Sequence, residues 1–126
     1  MTKLLINVSN HTLSAEQVKD FDMVVELPQE LKVMWGQITP EAMVSTVEAI
    51  NEFIKNTRKD HYNTNFNVHI AGHAAACYQL ANLTTEMCIF AHSVRNSIEE
   101  VQEDGSTIKK AIFKHTGWFT YGGNPL

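Results

Sequence analysis

The sequence lacks the features that mark membrane and secreted proteins. No apolar run approaches the ~18 residues that a membrane span needs. The N-terminal segment has no cleavage-site pattern, so we expect neither a signal peptide nor a membrane partner. The only two cysteines, Cys77 and Cys88, are too far apart for a CxxC redox or zinc motif. We therefore expect buried free thiols and a location in the reducing cytoplasm.

Positive charge is also scarce. Ten Lys and Arg residues are outnumbered by fourteen Asp and Glu residues, which gives a formal net charge of -4. Proteins that hold long DNA or RNA usually carry an excess of basic residues, so a duplex nucleic acid is not an expected partner. A small anion bound in one pocket is compatible with this charge, because a cleft needs only local positive potential.

Motifs of the common catalytic classes are missing as well. The chain has no GxSxG elbow, no P-loop and no GxGxxG fingerprint. Its six histidines include no HExxH or HxH pair, and no carboxylate lies at metal-ligand spacing from them. We therefore predict no metal site and no cofactor.

The sequence does contain alternating strand and helix patterns. Apolar or β-branched runs predict strands, and capping signals followed by helical periodicity predict helices. The predicted elements are a strand over 3–8, a short helix opened by a capping box at Ser14 and Gln17, a strand over 23–27, a helical turn over 29–35, a helix from Pro40 to about Arg58, a strand over 66–71, a helix over 73–81 and a strand over 87–91.

This alternation is typical of a single α/β domain, and 126 residues are enough for one domain with its own core. Strands that alternate with helices predict a mostly parallel sheet with helices on both faces. Asp104-Gly105, between the strand-like runs 94–101 and 107–113, predicts a C-terminal β-hairpin with an antiparallel edge. Opposite charges can pair across this hairpin between Glu99 or Glu100 and Lys109 or Lys110.

Polar side chains follow three of the predicted strands. In open α/β sheets, ligands bind at the carboxyl ends of the parallel strands, near the place where the strand order reverses. Here these ends carry Ser9-Asn10-His11, Gly72-His73 and His92-Ser93-Val94-Arg95-Asn96. If the three strands are neighbours, the sequence predicts one ligand site at this edge of the sheet.

Two residues of this site suit a phosphate, and each has a plainer alternative. Gly72, followed by small residues that open a helix, lets backbone N–H groups approach an anion, although it also suits a simple turn. Arg95 is one of only two arginines, and a guanidinium suits phosphate better than lysine does. Its alternative is a surface salt bridge with Glu99 or Glu86. His69 lies within a strand and is expected to be a hydrogen-bonded core histidine.

Three short motifs carry a resemblance to a known family. They are Asn10-His11-x-Leu13-x-x-x-Gln17 after the first strand, Leu27-Pro28-x-x-Leu31-x-x-x-Trp35 after the second, and a late Asp104-Gly105-Ser106 hairpin that ends in Phe113-x-His115. With these motifs the chain resembles, over nearly its whole length, the small stand-alone CRISPR-associated proteins with a Rossmann-like (CARF-like) fold. These proteins accompany type III CRISPR systems, and some of them are ring nucleases.

The resemblance implies a symmetric homodimer that binds a cyclic oligoadenylate second messenger across its two-fold axis. In the ring nucleases, a ribose 2′-OH attacks the adjacent phosphorus without a metal and leaves a 2′,3′-cyclic phosphate. The enzyme holds the attacking oxygen in line and stabilises charge on the phosphoryl oxygens. Such an enzyme would switch off type III CRISPR signalling, which is an antiviral defence.

Carried onto this chain, the resemblance implies roles for the residues at the strand ends. The expected catalytic residues are His11, His73 and Arg95, with His11 or His73 transferring the proton and Arg95 stabilising the transition state. The expected ligand-binding residues are Ser9, Asn10, Gly72, Ala74, His92, Ser93 and Asn96.

Two other functions are compatible with the same sequence. One is a binding module that sequesters a cyclic nucleotide without cutting it, either as a host buffer or as a viral anti-defence decoy. The other is a structural or regulatory dimer without a ligand, in which the aromatic tail of Trp118, Phe119 and Tyr121 makes the contact and the polar strand ends only cap helices.

Overall fold

Local strand and helix signals along the chain produce nine elements. The computed structural model describes residues 1–126. The strands are β1 (Thr2–Val8), β2 (Met23–Glu26), β3 (Thr64–Ile70), β4 (Met87–Val101) and β5 (Thr107–Thr120). The helices are α1 (Ala15–Val18), α2 (Gln29–Gly36), α3 (Met43–Asp60) and α4 (Ala74–Leu83).

The five strands form one sheet in the order β2-β1-β3-β4-β5. Strands β2, β1, β3 and β4 run parallel, because helices connect them, and β5 returns antiparallel beside β4. This is the 2-1-3-4-5 order of doubly wound sheets with the last strand reversed. The structure confirms the predicted Rossmann-like α/β fold with a mostly parallel sheet and a C-terminal hairpin.

One face of the sheet holds the main core. Leu4, Ile6 and Val8 alternate along β1 and are all fully buried, as expected for a strand whose alternate side chains meet one layer. The core members from β3 and from the covering helices α2, α3 and α4 are Phe66, Val68, Ile70, Trp35, Val47, Ile50, Ile54, Ala76 and Leu80. The apolar face predicted for the long central helix is therefore the face that packs on the sheet.

The opposite face is covered by the short helix α1 and by Trp118 of β5. Leu5, Ile89 and Trp118 form a second, smaller buried cluster there. The Trp118 indole N–H donates a hydrogen bond of 2.7 Å to Gln17 O. The predicted capping box is present, since Ser14 Oγ accepts from Gln17 N–H at 3.2 Å and Gln17 Oε1 accepts from Ser14 N–H at 2.8 Å. Helices therefore lie on both faces of the sheet, as predicted, although the only helix on this second face is the single turn of α1.

Strand β4 is longer than predicted. It does not end at Ala91 but continues to Val101, and it pairs with β5 through thirteen residue pairs. It leaves its parallel neighbour much earlier, because the last β3–β4 pair is His69 with Ile89. Residues 92–96 are therefore the middle of a strand, and the prediction that they form a strand exit is wrong. These residues are polar because β4 has no parallel neighbour beyond Ile89 and is surrounded there by solvent.

Beyond the sheet, β4 and β5 form a two-stranded projection, residues 93–101 and 107–115, which we call the ribbon. A register shift between His92 and Ser93 marks its base. Every residue of the ribbon except His115 is exposed. As predicted, opposite charges pair across it, and Lys110 forms an ion pair with Glu100.

Helix α3 begins three residues later than its start signal predicts. Residues 40–42 form a turn, and the helix begins at Met43. Thr39 still acts as a cap, since its Oγ1 accepts from Ala42 N–H at 3.3 Å. A proline that fixes φ suits the second position of a turn as well as the first position of a helix. None of the helices, including the 18-residue α3, combines the length and the apolarity of a membrane span.

Candidate functional site

The carboxyl ends of β1 and β3 lie side by side in the sheet. The two strands pair in parallel up to Val8 and Ile70, and Ala71 N–H donates to Val8 O at 3.0 Å. From β1 the chain passes to β2 on one side, and from β3 it passes to β4 on the other, so the strand order reverses between β1 and β3. Open α/β sheets bind their ligands at this kind of position.

A pocket of about 230 Å³ lies at this reversal point. Four of the predicted site residues line it, namely Asn10 and His11 after β1 and Gly72 and His73 after β3. The other walls are Trp35, Gly36, Ile38 and Ala71. The structure thus brings the first and third strand ends together, while the binding and catalytic roles of these residues stay predictions.

Two glycines allow close contacts around this pocket. Gly72 has a φ of +152°, and a Cβ atom there would lie 2.7 Å from Trp35 Nε1. That indole N–H donates to Ala71 O at 2.8 Å and so joins the end of α2 to the loop after β3. A Cβ atom on Gly36 would overlap Asn10 Nδ2. Neither position therefore has room for a side chain without a shift of the pocket wall.

A buried hydrogen-bond network holds the loop after β1. Asn7 is fully buried, and its Nδ2 donates to His11 O at 3.0 Å and to Glu26 Oε2 at 3.1 Å. Ser9 Oγ donates to Asn7 Oδ1 at 2.7 Å and accepts from His11 N–H at 3.2 Å. Because Ser9 is 1% exposed and its hydroxyl is bonded within the turn, its position favours a structural role over the predicted role of ligand donor. Asn7 and Glu26 were not among the predicted site residues.

Helix α4 begins at the pocket. His73 is its N-cap residue, and the His73 side chain makes no capping hydrogen bond. The first backbone N–H groups of an α-helix have no partners inside the helix, and α4 has no acidic residue in its first turn. Ala74 follows with a side chain too small to cover the backbone. This end of α4 therefore favours an anion, as the sequence predicts for Gly72–Ala74.

A second depression of about 310 Å³ shares Asn10 and Gly36 with the pocket. Its other lining residues come from α2 and the residue after it, and they are Gln29, Lys32, Val33 and Gln37. Lys32 brings a positive charge here, and its Nζ lies 3.9 Å from Glu26 Oε2. The prediction missed this wall of the site, because the sequence shows that 29–35 is helical but not which strand end the helix packs against.

The residues predicted at the end of the fourth strand do not line this pocket. They lie exposed at and beyond the base of the ribbon, and they are His92, Ser93, Arg95 and Asn96. The Arg95 guanidinium packs over the ring of Phe113, 5.9 Å from its centroid. Glu86 pairs with Arg58 at 3.5 Å instead of with Arg95. Within one chain, Arg95 therefore contributes neither to the pocket nor to the salt bridge with Glu86.

His69 lies beside Asn7 in the sheet and contacts Trp118 edge-on, with the ring centroids 5.3 Å apart. Burial lowers the pKa of His69 from 6.5 to about 4, and the charge of nearby His11 acts in the same direction. The sequence predicts a hydrogen-bonded core histidine. His69 is only partly buried, and its Nδ1 is buried without a hydrogen-bond partner, so the prediction of a hydrogen-bonded core histidine is wrong. An imidazole in this environment stays neutral at pH 7.

We expect His69 to make the protein less stable as the pH falls from about 6.5 to about 4. In this window the unfolded His69 binds a proton and the folded one does not, because its folded pKa is about 4 against an ordinary value of 6.5. The neutral His69 therefore stabilises the folded protein in full above pH 6.5, and this stabilisation is lost as the pH falls to about 4. The loss in the free energy of unfolding is on the order of 3 kcal/mol. Urea unfolding at pH 7, 5.5 and 4.5 measures it.

The variant His69→Phe keeps an aromatic ring against Trp118 but does not titrate, so its free energy of unfolding should fall less over the same pH range. His61→Gln, a change of a histidine in the turn before β3, serves as the control and should behave as the wild type does. An equal loss of stability in the wild type and in His69→Phe would contradict the assignment.

The fold and the pocket define a class of protein, a small α/β domain with a pocket where the strand order of its sheet reverses. Within this class the chain belongs to the Uncharacterized protein MJ1673 family, whose family model matches residues 3–119. A relative with that description, from Methanocaldococcus jannaschii, is 26% identical over 129 residues, which cover 96% of this chain and 98% of the relative. No solved structure matches the chain. The family description states no activity, so a functional assignment depends on the site.

Proposed function

We propose that the pocket between β1 and β3 binds a cyclic oligoadenylate and that the protein cleaves its ring. The observation that carries this proposal is the meeting of His11 and His73 in one pocket where the strand order reverses. Pockets at this position of α/β sheets commonly hold nucleotides and their phosphates. The resemblance to CARF-like proteins supplies the identity of the nucleotide. A ring nuclease of this kind would end type III CRISPR signalling in the cytoplasm, where reducing conditions suit the free thiols of Cys77 and Cys88.

The size and polarity of the site suit one nucleotide unit of a larger ring. The pocket of about 230 Å³ and the adjoining depression of about 310 Å³ together reach the range of small-molecule sites, roughly 300–1,000 Å³. The N-terminus of α4 suits a phosphate, and the Asn10 amide suits a ribose hydroxyl or a base edge. The remaining units of a ring would extend beyond this pocket.

Two imidazoles can carry out the proposed cleavage by acid–base chemistry. One takes the proton from the ribose 2′-OH, whose oxygen attacks the adjacent phosphorus. The other gives a proton to the leaving 5′-oxygen, so the products end in a 2′,3′-cyclic phosphate and a 5′-hydroxyl. Histidine can serve in both roles near neutral pH. The backbone N–H groups at the start of α4 would stabilise the charge on the phosphoryl oxygens.

One observation favours a second candidate, binding without cleavage. The 230 Å³ pocket has no positively charged lysine or arginine in its lining, and Lys32 lines only the adjoining depression. Arg95, the expected transition-state group, packs on Phe113 in the ribbon. Without such a cation, the same pocket would hold the ring and stabilise the transition state less well. The protein would then act as a sponge for the second messenger.

Incubation of the purified protein with cyclic tri-, tetra- and hexa-adenylate in the presence of EDTA tests both candidates. Melting temperature reports binding, and liquid chromatography with mass spectrometry reports cleavage. We expect one ring to raise the melting temperature and to be converted to linear fragments with a cyclic-phosphate end. His11→Ala and His73→Ala should each lower the cleavage rate by about 10²–10⁴-fold, the usual contribution of an acid or base.

His61→Ala is the matched control, because His61 follows α3 at the opposite end of β3 and should leave cleavage unchanged. A ring that raises the melting temperature but stays intact would favour the sponge over the nuclease. If no ring raises the melting temperature, both candidates are wrong.

A further inference from the structure

A separate pocket of about 540 Å³ lies between α1 and the base of the ribbon, and we call it the ribbon pocket. The ribbon contributes Ser93, Ile112, Phe113, Lys114 and His115, and α1 contributes Glu16 together with the residues of its capping box. No lining residue is shared with the pocket between β1 and β3 or with the adjoining depression. The volume lies in the range of small-molecule sites, roughly 300–1,000 Å³. The ribbon pocket is therefore large enough to be a second ligand site.

His115 is the residue of this pocket that indicates a ligand. It is the one residue of the ribbon that is not exposed, and its ring contacts Trp118 edge-on at a centroid distance of 6.0 Å. Both ring nitrogens, Nδ1 and Nε2, are buried, and neither has a hydrogen-bond partner within the chain. A neutral imidazole has one donor and one acceptor, and buried groups of this kind are nearly always hydrogen-bonded. His115 therefore needs a polar partner that the chain itself does not provide.

A turn of the His115 ring makes a nitrogen accessible from the pocket. The residue lines the pocket and is only partly buried, and rotation about the Cβ–Cγ bond of histidine has broad energy minima. Ser93 pairs directly with His115 across the two strands, so the Ser93 hydroxyl lies on the same face of the ribbon. The pocket therefore offers an imidazole and a hydroxyl side by side.

The charges around the ribbon pocket favour an anion. Lys114 lines the pocket and forms no ion pair within the chain. The guanidinium of Arg95 lies over the ring of Phe113, another lining residue, 5.9 Å from its centroid. The acidic lining residue Glu16 is already paired with Lys19 at 2.9 Å. Although the whole chain has a net charge of -4, the pocket therefore has a local excess of positive charge.

Two apolar side chains also line the ribbon pocket. Ile112 and Phe113 are 46% and 69% exposed. Neighbours along a strand point to opposite faces, so the pocket extends around the outer edge of β5, where no further strand pairs. A ligand with an apolar body would remove part of both side chains from water, which is favourable. Inorganic phosphate has no such body, so it would use only the charges of this pocket.

From these features we infer that the ribbon pocket binds a small organic carboxylate with an apolar body. The ammonium group of Lys114 and a ring N–H of His115 donate to the two carboxylate oxygens, which are acceptors only. Ile112 and Phe113 contact the apolar body. Binding thus supplies the hydrogen-bond partner that His115 lacks and pairs the free charge of Lys114. This inference does not depend on the proposed nucleotide activity, because the two sites share no lining residue.

Titration of the purified protein with sodium phenylacetate at constant pH and ionic strength, followed through the NMR signals of the histidine rings, tests the inference. Phenylacetamide has the same apolar ring without the charge, and inorganic phosphate has charge without an apolar body. Concentrations up to about 20 mM suit ligands of this size. We expect phenylacetate to shift the His115 signals to saturation and to bind about tenfold or more tightly than either other compound.

Three variants assign the binding to this pocket. Lys114→Met removes the charge but keeps the aliphatic stem, and His115→Phe keeps an aromatic ring without nitrogens. Each should raise the dissociation constant of phenylacetate about tenfold or more. Lys109→Met is the matched control, because Lys109 lies on the same strand outside the pocket and also forms no ion pair. The control should bind phenylacetate as the wild type does.

Circular dichroism checks that the variants are folded, and the comparison of the three compounds on the wild type needs no variant. A lack of saturable shifts of His115 would overturn the inference, since this ring would then be hydrated only. Equal binding of phenylacetamide or of phosphate would also overturn it, because the pocket would not recognise an apolar carboxylate. Equal weakening by Lys109→Met would do the same, since the effect would come from the overall charge.

Discussion

Replacement of Trp118 by alanine is expected to lower the free energy of unfolding by about 3–5 kcal/mol, as for other buried aromatic side chains. Trp118 is 3% exposed, and its ring makes edge contacts with Phe21, His69 and His115 at centroid distances of 5.5, 5.3 and 6.0 Å. Its indole N–H also holds α1 through Gln17 O. Trp118 belongs with Leu5 and Ile89 to the buried cluster on this face of the sheet, so alanine would leave a cavity there.

One control variant and one further measurement separate the packing of the Trp118 ring from its hydrogen bond. Trp118→Phe keeps an aromatic ring but removes the hydrogen bond to Gln17 O, so it should cost less than the alanine variant. In Trp118→Ala the imidazole of His69 becomes more accessible to water, so the pKa of His69 should rise from about 4 toward 6.5 in a pH titration followed by NMR. A loss of less than 1 kcal/mol with an unchanged pKa of His69 would show that Trp118 does not cover this face.

Gly72→Ala is expected to lower the free energy of unfolding by roughly 2–4 kcal/mol and to weaken the nucleotide binding proposed above. The φ of +152° at Gly72 is strained for a residue with a side chain. The added methyl group would also lie 2.7 Å from Trp35 Nε1, which would displace the indole N–H from Ala71 O. Urea unfolding measures the stability, and the NMR signal of the Trp35 indole N–H reports the lost hydrogen bond.

Gly105→Ala is the matched control for this prediction. Gly105 also has a positive φ, +84°, but a Cβ atom there meets nothing within 4 Å. The control should therefore show only the backbone cost of about 1 kcal/mol. If the two variants lose the same stability and the Trp35 signal does not move, the close approach of Gly72 to Trp35 is not important for the fold.

The type and order of the elements could be predicted because each has a signal within a short stretch. The capping box at Ser14 and the apolar face of α3 are properties of a few consecutive turns, and the structure contains both. The order of strands in the sheet has no such local signal. β1 and β3 pair although α1, β2, α2 and α3 lie between them in the chain. The sequence could therefore predict a shared site only on the condition that the strands are neighbours.

The parts of the site that were missed depend on tertiary contacts. Asn7 is an isolated polar residue in an apolar strand, and only the turn after β1 shows that it binds His11 O. The wall that Lys32 and Gly36 form depends on how α2 packs against the strand ends. Residues 92–96 were misplaced because polar residues after an apolar run predict a strand end, whereas here the strand continues into solvent with polar residues on both sides.

The ribbon is connected to the parallel part of the sheet through a short stretch of strand pairing, so a small change of angle at its base displaces its tip. β3 and β4 share only three residue pairs, from Asn67 with Met87 to His69 with Ile89. Nine further residues of β4, from Ser93 to Val101, extend beyond these three pairs as part of the ribbon. At about 3.3 Å per residue this arm is roughly 30 Å long, so a tilt of about 10° at its base moves its tip by roughly 5 Å. A tilt that began beside His69 would therefore displace the tip of the ribbon much further than its base.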